Sequence, residues 1–266
     1  MSQLSCIIIT YNESRNIRRC LESVSWADEI IVVDSYSTDE TKKIASEFTS
    51  RIFDLSWEGF GPAKRYAAKQ VTGDWILSVD ADEQVSENLR EEIQKIIKSG
   101  DSLDGYFIPR RSYFLGRWMR HGGWHPDFVL RLFRKDKGGF TSRLVHEEVI
   151  VRGRTGRLKN DLLHFTDPDY DHYLEKLNRY TSIDAVQRYQ ESKRGSLVNL
   201  LIRPIAVFFK TYFLKRGFFD GLPGLILAVS SAFHVFAKYV KLWHLGRSNN
   251  NLVDRAKSKA SKEKIS

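Results

Sequence analysis

The chain of 266 residues has only two cysteines, Cys6 and Cys20. Cys6 lies in an apolar run and Cys20 on an amphipathic pattern. Two such residues build no disulfide framework and have no metal-site spacing, so a reducing cytoplasm is expected. Ser2-Gln3-Leu4-Ser5 runs straight into a strand-like stretch with no charged leader segment, so no secretory signal is expected. The apolar run of greatest length without a charge, Gly221 to Ala237, is at the lower limit for a membrane span and contains His234. Acid is in deficit: the formal charge is +9. That balance suits nucleic acid, an anionic membrane surface or a phosphorylated substrate, and does not choose among them. No nucleic-acid motif accompanies it, so a nucleic-acid partner is not expected.

The first hundred residues alternate short apolar runs with helical patterns. Leu4 to Thr10, Glu29 to Asp34, Arg51 to Leu55 and Asp74 to Asp80 read as strands. Helices are expected over about Ser14–Ser25, beyond Ser37-Thr38-Asp39, over about Pro62–Val71, and from Ser86 to about Lys98. This alternation implies βαβ units and a mainly parallel sheet flanked by helices. Ligands of such open α/β sheets bind off the carboxyl ends of the strands.

Polar residues gather at those ends. Strand one leads into Thr10-Tyr11-Asn12-Glu13, strand two into Asp34-Ser35-Tyr36-Ser37-Thr38-Asp39, and strand four into Asp80-Ala81-Asp82-Glu83. Asn12, Ser37 and Asp39 read equally as helix caps. The last cluster sets three carboxylates within four residues. They repel one another unless positive charge sits among them. In an extended chain Asp80 and Asp82 share a side, and two hard oxygen ligands beside an open pocket suit Mg²⁺ or Mn²⁺. A solvated acidic turn is the plainer alternative. A nucleotidyltransferase would carry a Gly-rich basic loop after strand one, and Tyr11-Asn12-Glu13-Ser14 is not one.

Ile7-Ile8-Ile9-Thr10-Tyr11-Asn12-Glu13, then Val32-Val33-Asp34-Ser35 with Thr38-Asp39, then Asp80-Ala81-Asp82-Glu83 after Trp75-Ile76-Leu77, resembles the family-2 glycosyltransferases of the GT-A fold. Trp57-Glu58-Gly59-Phe60-Gly61-Pro62-Ala63-Lys64-Arg65 and Val145-His146-Glu147 are similar to the bacterial lipopolysaccharide-core β-glucosyltransferases within it. The resemblance implies that Thr10, Tyr11, Asn12 and Glu13 line the nucleotide pocket and that Asp34 bonds a uracil base. It implies Lys64 near the nucleotide, Asp80 on ribose or metal, and Asp82 on the metal. It also implies a catalytic segment at His146-Glu147-Glu148, with Glu147 the favoured base and Glu148 facing the opposite way if the segment is extended. Where other members often carry Glu-Asp, this chain has His-Glu-Glu.

Arg110, Arg111, Arg117, Arg120 and Arg131 flank Tyr113, Phe114, Trp118 and Trp124. Guanidinium forks beside aromatic faces suit a phosphorylated sugar acceptor, and His121, Trp124 and His125 would line its side. The expected organisation is a GT-A catalytic domain over 1–168 (donor site 1–100, acceptor side 101–168), a helical membrane-interfacial region over 169–247, and a disordered basic tail over 248–266. The expected reaction is inverting transfer of glucose from UDP-glucose to a heptose of the lipopolysaccharide inner core, by a peripheral enzyme on the cytoplasmic face of the inner membrane. Alternatives are transfer to a polyprenyl-phosphate-linked or capsule intermediate, and a non-catalytic membrane-associated nucleotide-sugar-binding protein.

Overall fold

The fold is read from a computed structural model that describes residues 2–100, 103–141 and 148–247. In chain order the elements are β1 (Leu4–Thr10), α1 (Ile17–Val24), β2 (Glu29–Asp34), α2 (Thr41–Ser46), β3 (Ile52–Asp54), α3 (Phe60–Gln70), β4 (Trp75–Asp80), β5 (Glu83–Val85) and α4 (Glu87–Ser99). Then come β6 (Gly105–Phe114), β7 (Arg117–Trp118), β8 (Asp127–Arg134), β9 (Gly138–Phe140), β10 (Val149–Val151), β11 (Thr155–Arg157) and β12 (Leu162–Asp167). The helices α5 (Tyr170–Gln190), α6 (Leu197–Phe209) and α7 (Leu222–Arg247) complete the chain as described.

The described residues form two compact units, one from those within 2–111 and 126–166, the other from those within 112–125 and 167–247. The first carries the sheet, in the order β3-β2-β1-β4-β8-β6-β12-β5, with β11 beside β6. Strands β1 to β4 are mutually parallel where they pair, and β8 runs antiparallel to β4. Each residue of β1 is buried, as a strand covered on both faces must be. Side-chain alternation divides it. Cys6 and Ile8 pack with Leu21, Leu89 and Ile93 on one face, while Ile7 and Ile9 pack with Ala63 and Ala67 on the other. Helix α1 buries Ile17, Cys20, Leu21 and Val24, the one-face spacing of a surface helix. Helix α4 is capped by Ser86, whose side chain accepts from the Leu89 amide, and stops at Gly100 in the left-handed region, φ 64°, a conformation that costs glycine nothing. Cys6 and Cys20 are buried and form no disulfide, and burial pushes both thiols up, out of the reactive range.

The second unit is built on α5, α6 and α7. Asp169 and Ser196 cap α5 and α6 through the His172 and Asn199 amides. Helix α7 packs Tyr239, Leu242 and Leu245 on Ala185 of α5. Lys238 pairs with Asp184, and Lys241 bonds Asn178, Thr181 and Ser182. Ser112–His125 falls in this unit, although the sequence pattern grouped it with the sheet. The cause is Phe114, fully buried against Trp124 and Tyr173. Helix α6 buries none of its residues. Two stretches are long and apolar enough to cross a membrane by length and composition, Leu197–Leu214 and Leu222–Arg247.

Candidate active site

Parallel register brings the strand ends into one row. Thr10 pairs with Asp34, Ile9 with Asp80, and Asp34 with Asp54. The loops that follow β1 and β2 are latched together. The Asn12 amide donates to Ser37 Oγ (2.9 Å), the Thr38 amide to Asn12 Oδ1 (2.8 Å), the Glu13 amide to Thr41 Oγ1 (2.8 Å) and the Ser14 amide to Asp39 Oδ2 (3.1 Å). Asn12 and Tyr36 both take positive φ, 51° and 60°. Asn tolerates this and forms the latch. Tyr36 has no such excuse and is 57% exposed, a strained position of the sort that marks ligand clamps. Asp34 is fully buried, and both its oxygens accept from Ser37. Thr10 Oγ1, Tyr11 Oη and Ser35 Oγ are buried hydroxyls with no partner among the described residues, so they are left for solvent or a ligand. A cavity of about 440 Å³ opens at the ends of β2 and β3, lined by Tyr36, Asp54, Leu55, Arg65, Tyr66 and Lys69 among others.

The acidic cluster does not run on as one extended segment. Asp80 ends β4, Ala81 and Asp82 form a turn, and Glu83 opens β5, so the side-by-side argument from alternation fails. Each carboxylate has a different environment. Glu83 is fully buried and accepts from Arg131 Nη2 (2.8 Å) and from the Asp80 amide (2.8 Å), with Arg110 at 3.8 Å. Burial pushes its carboxyl up, and Arg131 counters part of that push. Asp80 accepts from Lys64 Nζ on one oxygen (2.8 Å) and from Arg131 on the other (2.5 Å). Burial would raise it, but the two cations outweigh burial and hold it well below the usual carboxylate range. Asp82, one-fifth exposed, has His164 Nε2 at 3.3 Å.

His164 was absent from the sequence reading. It arrives because β12 pairs with β5 antiparallel, setting His164 opposite Glu83. Nothing local marks it, since β5 is three residues long and β12 follows from far along the chain. Arg19 was also missed. Its guanidinium lies 3.7 Å over the Phe165 ring and bonds Asn16 Oδ1, while its Nε has no partner among the described residues. Lys64 is 3% exposed and tied to Asp80, so it is not an ordinary surface lysine. His146 and Glu147 lie outside the described residues. Glu148 is exposed just before β10, its amide donating to Thr141 Oγ1.

A divalent ion fits this donor set in one way. Asp82 and His164 offer a carboxylate oxygen and an imidazole nitrogen side by side, whereas both Asp80 oxygens already hold cations. Among the described residues no group of three or more His, Cys, Asp or Glu converges. The remaining positions would therefore belong to substrate phosphate and water.

A mainly parallel sheet flanked by helices, with its acidic and amide-rich loops at the strand carboxyl ends, defines the GT-A class of nucleotide-sugar transferases. Comparison with known proteins agrees. The family model described as glycosyl transferase family 2 matches residues 5–152. The chain is 31% identical over 265 residues to the lipopolysaccharide core biosynthesis glycosyltransferase LpsC of Rhizobium meliloti (strain 1021), covering 94% of this chain and 96% of that one. It is 29% identical over 269 residues to an uncharacterized glycosyltransferase of Rickettsia prowazekii (strain Madrid E), covering 95% and 91%. Among solved structures, the mannosyltransferase PcManGT from Pyrobaculum calidifontis, in complex with GDP-Man and Mn²⁺, shares the fold at TM-score 0.55 and 15% identity, covering 91% of this chain and 88% of that one. The protein belongs to glycosyl transferase family 2 and is a glycosyltransferase.

Proposed function

We propose that the enzyme transfers glucose from UDP-glucose, with inversion, to a heptose of the lipopolysaccharide inner core. The observation that carries this reading is the division of labour within the acidic cluster. Asp80 is neutralised internally, and Asp82 is left beside His164 at the strand ends. Near-full-length similarity to a relative named for lipopolysaccharide core biosynthesis supports the acceptor class.

Asp82 and His164 would hold Mg²⁺ or Mn²⁺ together with the donor diphosphate. When bound, that ion supplies Lewis-acid neutralisation of the leaving nucleoside diphosphate. The chain does the rest. The nucleoside occupies the cavity beside Tyr36, against the unpartnered hydroxyls of Thr10, Tyr11 and Ser35. The Arg19 guanidinium offers its unpartnered Nε to the diphosphate. Asp80 fixes Lys64 and Arg131 and stays ionised. The acceptor oxygen forms its bond to the anomeric carbon as the bond to diphosphate breaks. Its proton passes to the carboxylate of Glu147, with His146 orienting it, or to Glu148.

The helical unit lies in the membrane interface on the cytoplasmic side. Its α6 is apolar and packs one face on α7 while burying none of its residues fully, and the end of α7 is tied by Lys238 and Lys241 to a polar α5, a pairing that suits water better than lipid. Calorimetric titration of UDP-glucose, UDP-galactose and GDP-mannose with Mn²⁺, then with chelator, tests the donor assignment. Metal-dependent binding of UDP-glucose is expected. Absence of binding by every donor defeats the catalytic reading, and preference for another sugar redirects the donor alone.

A further inference from the structure

The arginine-rich segment is divided in the structure. Arg110 pairs with Asp127, Arg111 with Asp161, and Arg131 with Asp80 and Glu83, so these three are committed to the protein itself. Arg120 is different. It is exposed, lies 4.3 Å over the Trp118 ring, and pairs with no carboxylate among the described residues. Next to it, His121 is fixed by Asp220, a buried carboxylate that accepts from the Arg120 and His121 amides and from His121 Nδ1 at 2.9 Å. With Nδ1 held, the ring is still 35% exposed.

A second segment closes on this turn. The Gly122 amide donates to the Lys215 carbonyl at 2.9 Å. Gly123 has φ +86°, and a β-carbon there would strike the Lys215 side chain from Cδ to Nζ. Glycine is thus what lets the Lys215 ammonium lie against the turn. Lys215 and Arg216 are both exposed, and neither pairs with a carboxylate among the described residues. Three permanent cations and an imidazole therefore gather around one turn. Apolar side chains stand in solvent along the same short segment: Leu214 is 80% exposed, Phe219 62% and Leu222 68%. From Ser192 to Phe219 the chain carries six Lys or Arg and no Asp or Glu.

We propose that Arg120, His121, Lys215 and Arg216 form a binding site for the phosphate of an anionic membrane lipid, with Leu214, Phe219 and Leu222 entering the acyl layer beside it. The proposal rests on the interfacial reading of the helical unit and adds a specific headgroup site to it. Guanidinium and ammonium N–H groups, and Nε2–H of the His121 ring in its protonated form, supply charge-assisted bonds to phosphate oxygens. A water-soluble phosphate would leave the exposed leucines and Phe219 unexplained. A second copy on this face would set Arg120, Lys215 and Arg216 against the same three cations, so the charge pattern favours an anionic lipid surface.

Flotation of the full-length chain with vesicles tests this, using phosphatidylcholine alone and phosphatidylcholine mixed with phosphatidylglycerol or phosphatidic acid. Binding to the anionic vesicles is expected. Lys215→Ala and His121→Ala should each weaken it about tenfold, the scale of one lost charge-assisted bond. Gly123→Ala, which displaces Lys215, should do the same. Arg117→Ala, an exposed cation outside the cluster, should change it less than about twofold. Circular dichroism and donor binding, both expected unchanged, show that each variant is folded. Equal losses for Arg117→Ala and Lys215→Ala would reduce the site to diffuse charge and overturn it. Equal affinity for glycerol 3-phosphate in solution would assign a soluble ligand instead. Self-association in the absence of vesicles, abolished by Phe219→Ser, would assign the face to a second copy. Vesicle binding without donor binding would leave this site standing and sink the transferase reading.

Discussion

Asp80, Asp82 and Glu83 are neighbours in sequence with three different jobs, and their surroundings separate them. Asp82→Ala should abolish transfer while lowering unfolding free energy by only about 1 kcal/mol, since the pair it breaks, with His164, is partly solvated. Activity assays beside urea unfolding check both halves. A fully active Asp82→Ala enzyme would end the metal assignment. Arg131→Met should do the reverse first. It strands Glu83 in the core and takes away one of the two cations on Asp80, so stability should fall by about 3–5 kcal/mol. At the base, Glu147→Gln should keep donor binding and lose transfer. If only Glu148→Gln loses transfer, the two glutamates exchange roles. The sequence exposed the carboxylates as a cluster but could not rank them, because burial and the partner cations come from Lys64, Arg110 and Arg131, far along the chain.

At the level of elements, the loops after β1 and β2 act as one latch. Asp39 accepts from Ser14 and from Thr41. Burial would raise its carboxyl, yet these bonds outweigh burial and lower it below its ordinary value. A carboxyl depressed in the folded state stabilises the protein above its unfolded pKa of about 3.9, and that contribution disappears as pH falls through the lower folded value. Asp39→Asn should therefore cost stability near neutral pH and flatten the acid limb of urea midpoints plotted against pH. An acid limb of unchanged steepness would credit other carboxylates. The parallel strands and their helices were legible from periodicity, with Ser86 marking the start of α4. The short strands β5, β7, β9 and β11 were not, since two or three residues carry no period. Helix α2 begins at Thr41, after Asp39 has bonded its amide, so the polar run there is both cap and latch.

For the molecule as a whole, metal and donor should act together. The described residues offer Asp82 and His164 and no larger ligand group, so Mn²⁺ alone should leave the unfolding midpoint where it is. Donor with Mn²⁺ at a hundredfold excess over Kd should add about 2.7 kcal/mol, and chelator should remove the gain. Stabilisation by Mn²⁺ alone would mean a fuller protein cage than Asp82 and His164 provide. Sequence by itself determined the α/β alternation, the row of polar residues at the strand ends, and the basic, apolar character of the C-terminal helices, because these are local patterns of period and composition. Tertiary structure alone decided that Asp80 is neutralised, that His164 faces Asp82, that Ser112–His125 belongs with the helices, that His121 meets Asp220 and that Gly122 meets Lys215. Each of those depends on strand register or on a close approach between distant segments, and pairing across such distances leaves no mark on the residues beside it.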